Sequence, residues 1–236
     1  MMKLIPLLVI LVFIAISQDC FGKTSTIIAY EVGPTKDDIS FFNPQHNVKF
    51  NSDPTGVPGL VVTQQLYKSL YFETGVYSDY IGMDMVLLQS ADTTNLIFSQ
   101  EEIQVPLRLQ LRQYFFNGRL DFYMSAGTMI VIGNDGWSDL YTKNNKTILT
   151  TDKYLNKNNY TLMEFGVGAD FFISKNFFIG IKYRYTAGFS TKFDMEYHTQ
   201  GLDQNNRTDY FVKSNGNYHS FMGSIGYRIS WLWNKK

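Results

Sequence analysis

The sequence predicts an all-β protein, an eight-stranded, antiparallel, up-and-down transmembrane β-barrel behind a cleavable export signal. Three observations predict it. Runs after residue 23 alternate apolar and polar residues with period two, the mark of a strand with two unlike faces. Connections between these runs alternate between tight and long. Large charged residues and glycines share one face, and large apolar and aromatic residues share the other.

The bulk numbers agree. The 236 residues carry 21 basic and 21 acidic side chains, so no basic field points to nucleic acid. Aromatic residues make up 16%, which suits a half-buried pleated surface. Mean hydropathy is −0.16, and beyond the first 20 residues no apolar run is long enough to span as a helix.

The chain begins Met1, Met2, Lys3, and Leu4 to Ile16 is then continuously apolar, the length of a signal-peptide core. Cleavage is expected after Ser17 or after Gly22, which divides the chain into a signal peptide, 1–22, and a barrel domain, 23–236. The run is too short for a retained helical anchor. Cys20 is the only cysteine, and Asp19 before it disfavours lipid attachment. One cysteine also excludes a disulfide framework or a multi-thiolate zinc site.

The first strand covers Thr24 to Gly33, with Thr26, Ile28, Tyr30 and Val32 on one face and Ser25, Ala29 and Glu31 on the other. Residues 59–67 and 70–86 give the next two, joined at Lys68-Ser69; Leu60-Val61-Val62 does not alternate, and Ile81 to Met85 suggests a bulge. The clearest strand is Glu102 to Phe115. Ile103, Val105, Leu107, Leu109 and Leu111 face one way, and Gln104, Pro106, Arg108, Gln110 and Arg112 the other. The next shows Leu120, Phe122, Met124 and Ala126 against Asp121, Tyr123, Ser125 and Gly127.

Asn117-Gly118 between these two is the preferred pair of a type I′ hairpin. That turn sets Phe115 beside Leu120, Leu111 beside Met124 and Arg112 beside Tyr123, with Asp121 diagonal to Arg112. Turn chemistry and face pattern thus agree on one register. Two further strands follow at 160–173 and 177–188, where the loop 174–176 sets Ile173 beside Phe177. The last runs from about 217 to 233. The tight turns at 68–69, 117–118 and 174–176 define a periplasmic rim. The stretches 34–58, 87–99, 134–159 and 191–216 read as long external loops. Pro106 cannot donate to a ladder and is expected at a bulge toward the outer rim.

A lipocalin-like barrel has the same strand count but turns its polar face to water. Here the polar face carries Glu31, Glu73, Arg108, Arg112, Asp121, Glu164, Asp170, Lys182, Arg184 and Arg228, with Gly75, Gly127, Gly166, Gly168, Gly180, Gly188 and Gly226 among them. Small residues relieve crowding in a narrow lumen, and a continuous apolar band cannot stay in water. The apolar face is therefore expected to meet lipid and the charges to form a structural interior network. Counted from the tight turns, Glu73, Arg112, Asp121, Asp170 and Arg228 make one layer. Glu31, Arg108, Glu164 and Arg184 make a higher one. The compartment that follows is the bacterial outer membrane.

Three pieces resemble the PorT-like outer-membrane β-barrel family of Gram-negative bacteria. They are 102–109 (Glu-Ile-Gln-Val-Pro-Leu-Arg-Leu) with Arg119 through Ser125-Ala126-Gly127, then 165–171 with 179–185, then 224–229. The resemblance covers about half of the mature chain and implies fold and compartment rather than an activity. The chain departs from it by ending Asn234-Lys235-Lys236 after Trp233 instead of on an aromatic residue.

No catalytic, cofactor or metal site is expected. His46, His198 and His219 are the only histidines, the first two in predicted loops. Ser220 beside His219 points to the opposite face, so no Ser–His pair forms there. Sequons at Asn145, Asn159 and Asn206 are no more than Asn- and Thr-rich loops give by chance. The expected partners are outer-membrane lipid and an extracellular ligand or protein held by the long loops, on a monomeric barrel. The expected role is structural, assembly or surface-binding. A narrow porin or a lipid-modifying enzyme are the alternatives.

Overall fold

The structure is a computed structural model. It describes residues 23–42, 48–52, 55–88, 93–133, 137–142, 147–156, 159–189, 192–201 and 207–232. The signal peptide, His46 and the sequons at Asn145 and Asn206 lie outside them. The strands are β1 (Lys23–Phe42), β2 (Val48–Ser52), β3 (Thr55–Tyr67), β4 (Leu70–Leu88), β5 (Thr93–Phe115) and β6 (Leu120–Gly133). There follow β7 (Trp137–Thr142), β8 (Thr147–Asn156), β9 (Asn159–Phe172), β10 (Phe177–Gly188), β11 (Phe193–Gly201) and β12 (Arg207–Leu232).

Eight of them, in the order β1-β3-β4-β5-β6-β9-β10-β12, make an antiparallel meander that closes through β12 on β1. The register fixes the shape. From Ile27 the paired residues run Thr63, Glu73, Arg108, Gly127, Glu164, Thr186 and Tyr218, and return to β1 at Asp37, ten residues further on. Eight strands with that stagger tilt by about 40° and enclose a cylinder of about 8 Å radius, narrow enough for side chains to fill.

The tight turns form as the local sequence dictates. Asn117 (φ 55, ψ 35) and Gly118 (φ 81) take the two left-handed central positions of a type I′ turn, Phe116 before them is left-handed as well (φ 51), and the Arg119 N–H donates to the Phe116 carbonyl at 3.3 Å. The ladder begins at Phe115–Leu120 and holds the expected Leu111–Met124 and Arg112–Tyr123 pairs. At the 174–176 turn the Ile173 N–H donates to the Phe177 carbonyl at 2.9 Å. At Lys68-Ser69, Lys68 takes φ 42 and the register shifts between Gln65 and Tyr67.

Three expectations fail. The stretches 34–58, 87–99, 134–159 and 191–216 are mostly strand: β1, β4, β5 and β12 continue upward, and β2, β7, β11 and β8 pair with β4, β5, β12 and β11 in turn. His198 accordingly lies in β11, opposite Asp209. Ile81 to Met85 carries no bulge, since β4 and β5 keep one register to Leu88–Thr93. Pro106 sits in no bulge either. It pairs with Met129 on β6, while the β4–β5 ladder passes from Thr74–Leu107 to Tyr77–Gln104, leaving the positions opposite Pro106 unbonded.

The faces sort as the alternation requires. Leu109, Leu111, Met124, Phe165, Ile181 and Ile225 are each about half exposed or more. This outward apolar belt gives way above to Lys36, Glu101, Thr161 and His219. Because nothing but hydrocarbon accommodates such a belt, the chain spans a membrane through these strands. Inside, beside the charges, two apolar clusters pack: Ile27, Val57, Val61, Phe172, Phe178 and Met222 with Tyr77, and Met129, Val131 and Leu162 with Tyr218.

Candidate functional site: the charged interior

Nine of the ten charges picked out in the sequence lie inside, each at most 4% exposed; Arg228 is half-buried at the periplasmic mouth, its guanidinium 4.1 Å from the Phe172 ring centre. The nine form two groups. In the lower one, Arg112 on β5 reaches Asp121 on β6 at 3.2 Å and Asp170 on β9 at 2.5 Å. Asp121 and Asp170 are direct cross-strand partners, so one guanidinium holds two facing carboxylates. It also lies 4.4 Å from the centre of the Tyr123 ring. Gly168 opposite Tyr123 makes this possible, since a Cβ there would come within 2.4 Å of the ring.

In the upper group, Arg108 pairs with Glu73 on β4 and with Glu164 on β9, the latter at 2.5 Å. Lys182 on β10 donates to Glu31 on β1 at 2.6 Å and to Glu73 at 3.1 Å. Arg184 lies 3.9 Å from Glu164 and 4.5 Å from the Tyr77 ring centre, and the Tyr77 hydroxyl donates to Glu31 at 2.5 Å. Thr63 and Gln110 donate to the remaining oxygen of Glu73. Three cations thus meet three carboxylates in one connected net.

Glu73 belongs to this upper group and not to the lower layer that counting from the turns suggested. The hydrogen-bonded line climbs ten residues per circuit, so equal distance from a turn does not mean equal height on different strands. The seven interior glycines fit the crowding. A Cβ added at any of Gly75, Gly127, Gly166, Gly168, Gly180, Gly188 or Gly226 would come within 2.5 Å of another atom.

A third cluster stands above the apolar belt, and sequence reasoning missed it. Lys192 reaches Glu102 at 3.2 Å, and the Tyr160 hydroxyl donates to the same carboxylate at 2.8 Å. Gln104 donates to Asp79 at 2.7 Å and accepts from Tyr218 at 3.2 Å. Burial raises the Asp37 carboxyl to about 6; Lys192 opposes this, while Asp79, Glu102 and Asp38 add to it. Glu102 is raised by burial and by Asp79, against Lys192 and Tyr160. Burial disfavours the Lys192 ammonium, but Glu102, Asp37 and Asp79 outweigh it and its affinity for the proton rises. Lys192 and Asp37 fell in stretches read as loops. Glu102 stood on the polar face of its strand without a visible partner.

Among the described residues no group of three or more His, Cys, Asp or Glu side chains is arranged to hold a metal. His219 and Ser220 point to opposite faces, the first exposed and the second 1% exposed and 3.1 Å from Thr35.

No family model matches the chain, and no curated protein does. Solved structures do. The outer membrane protein OprG from Pseudomonas aeruginosa is 13% identical, with a TM-score of 0.53 over 90% of this chain and 98% of that one. Outer membrane protein W of E. coli is 13% identical, with a TM-score of 0.42 over 90% of this chain and all of the other. The first likeness carries the fold, an eight-stranded barrel of the outer-membrane type. With the outward apolar belt and charged lumen, it makes this a protein of the outer membrane.

Proposed function

We propose that this chain is a non-conducting, non-enzymatic outer-membrane barrel with a structural, assembly or surface-binding role exercised at its extracellular end. One observation carries the reading: Lys182 on β10 bonds Glu73 on β4, and those strands are diametrically opposite in an eight-strand ring. A bond across the full diameter, joined by Arg108 to Glu164 and by Lys182 to Glu31, supports a lumen closed to water at that level. The extracellular end supports the location of the role. β12 is 26 residues long and β5 is 23, about twice what spans a bilayer, so the outer walls are continuous with the barrel. Rigid walls of this kind can present a ligand or protein surface in fixed geometry. The three stretches quoted above make a PorT-like protein the family reading we favour, with a monomeric barrel bathed in outer-membrane lipid.

Planar-bilayer recording tests it. Purified wild-type protein inserted at high copy number gives no stepwise conductance, whereas Lys182→Ala combined with Arg108→Ala opens the lumen and gives steps. Reproducible ion-conducting steps from the wild type would establish the narrow-porin reading in its place.

A further inference from the structure

Above the membrane the barrel wall divides in two. β2, the upper part of β4, the upper part of β5 and β7 pair in that order. β8, β11, the upper part of β12 and the end of β1 pair in another series. Among the described residues no ladder joins β1 to β2 or β7 to β8. Around the ring these two seams are four strands apart, so they lie opposite each other. The extracellular crown is thus a pair of four-stranded jaws rooted in the closed barrel below.

The buried cluster above the apolar belt stands at that root, and its charges come from both sides of the division. Asp79 on β4 and Glu102 on β5 are direct cross-strand partners under one jaw. Asp37 on β1 stands under the other, as does Lys192, whose N–H donates to the Ser214 carbonyl of β12 at 2.7 Å. Lys192 reaches across to Glu102 at 3.2 Å and draws the jaws together. Asp37 shares the inward face of β1 with Glu31 and Thr35, and it meets Asp79 and Glu102 with like charge. Asp79, Glu102 and Lys192 are each at most 4% exposed, so water screens these forces little. Three carboxylates face one ammonium, and with all of them ionised the root carries excess negative charge divided between the jaws.

The other groups at the root do not titrate against this balance. Tyr160 donates to Glu102 at 2.8 Å and Tyr218 donates to Gln104 at 3.2 Å. Burial raises both phenols, so they stay neutral. Asp38, next along β1, points outward to His219 at 3.8 Å.

We propose that the crown is a clamp whose jaws close when Asp37 takes up a proton and part when it loses one. Neutral Asp37 no longer repels Asp79 and Glu102, and Lys192 then holds Glu102 unopposed. The sign follows from linkage. In the closed root burial is the largest cause that lifts the Asp37 carboxyl, to about 6, and opening to water returns it to the ordinary carboxylate range. A carboxyl raised in one state favours that state as pH falls. Glu102, raised by burial, acts in the same direction. The motion goes beyond the surface-binding role and does not depend on it.

Distances between paired spin labels test the clamp. The full chain carries Cys20→Ser, with Thr94→Cys on β5 in one jaw and Thr199→Cys on β11 in the other, refolded in lipid. From about pH 7.5 to about pH 5 the mean distance shortens by about 5 Å, one interstrand spacing. Asp37→Asn gives the short distance at both pH values. Asp38→Asn, one residue away on the outward face, keeps the wild-type response. A second pair below the root, Ile103→Cys with Phe221→Cys, holds its distance throughout. An unchanged jaw distance, lengthening on acidification, an Asp37→Asn chain that still responds, or equal shifts in both label pairs overturns the proposal. Where a variant does not refold, the wild-type response against the lower pair decides. None of these results bears on the sealed-lumen reading, which rests on conductance.

Discussion

Removing Arg112 isolates what the interior pairs contribute. Asp121 and Asp170 face each other across β6 and β9, at 0% and 2% side-chain exposure, and Arg112 is the cation between them. Arg112→Ala leaves two buried carboxylates with side chains about 5 Å apart. At an effective dielectric of 20 their repulsion alone is roughly 3 kcal/mol. Breaking a buried pair by truncating one partner costs about 3–5 kcal/mol in general, and the lost stacking on Tyr123 acts in the same direction. We expect a loss of about 4 kcal/mol in equilibrium urea unfolding of the refolded protein in lipid, followed by tryptophan fluorescence and gel mobility. Adding Asp121→Asn removes the repulsion, so the double variant recovers roughly 3 kcal/mol of that loss. Acidification also stabilises Arg112→Ala relative to wild type, because protonation quenches the stranded charge. If Arg112→Ala unfolds within about 0.5 kcal/mol of wild type, as a solvated surface residue does, the interior argument collapses.

Leu109→Arg places a charge on the lipid face and should cost about 2–4 kcal/mol in the same assay; a cost near zero would mean that this face meets water. Gly118→Val puts a β-branched residue at φ 81 and is expected to weaken the hairpin by 1–2 kcal/mol, with slower refolding as a second readout; indifference would deny the type I′ turn. The Asp37 carboxyl should titrate near pH 6 by carbon NMR. A raised carboxyl means that stability falls as pH rises from about 4 through 6, and Asp37→Asn should abolish that fall; a midpoint near 4 would place the group in open water. Protease added to intact cells should spare Phe116–Arg119, and cutting there would invert the barrel.

Part of this was legible in the sequence for a physical reason, and part was not for another. The strands at 102–115 and 120–133 could be read because lipid on one side and a packed lumen on the other force strict alternation, and Asn117-Gly118 pins their register locally. Above the membrane that contrast vanishes. Thr93–Glu101 and Arg207–Asn217 are paired in the ladder, but their sequence lacks strict alternation and looks like loop. Lys192 and Asp37 were lost with them. The partnership of Lys182 with Glu73 was out of reach because it joins residues 109 positions apart across the lumen, and the stagger that brings them level is a property of the closed ring. Val61, Phe178 and Met222 show the converse, apolar residues on the lumen side of their strands that pack with Ile27 instead of facing lipid.

The central claim is that one set of apolar side chains meets lipid while another is sealed inside. Methyl NMR of the native barrel in bilayer nanodiscs, with a nitroxide carried on the lipid acyl chain, tests it without any substitution. The methyls of Leu109, Ile181 and Ile225 should be strongly broadened, while those of Val61, Met129 and Val131 keep their intensity. Broadening of the second set with sparing of the first would turn the barrel inside out and contradict the account.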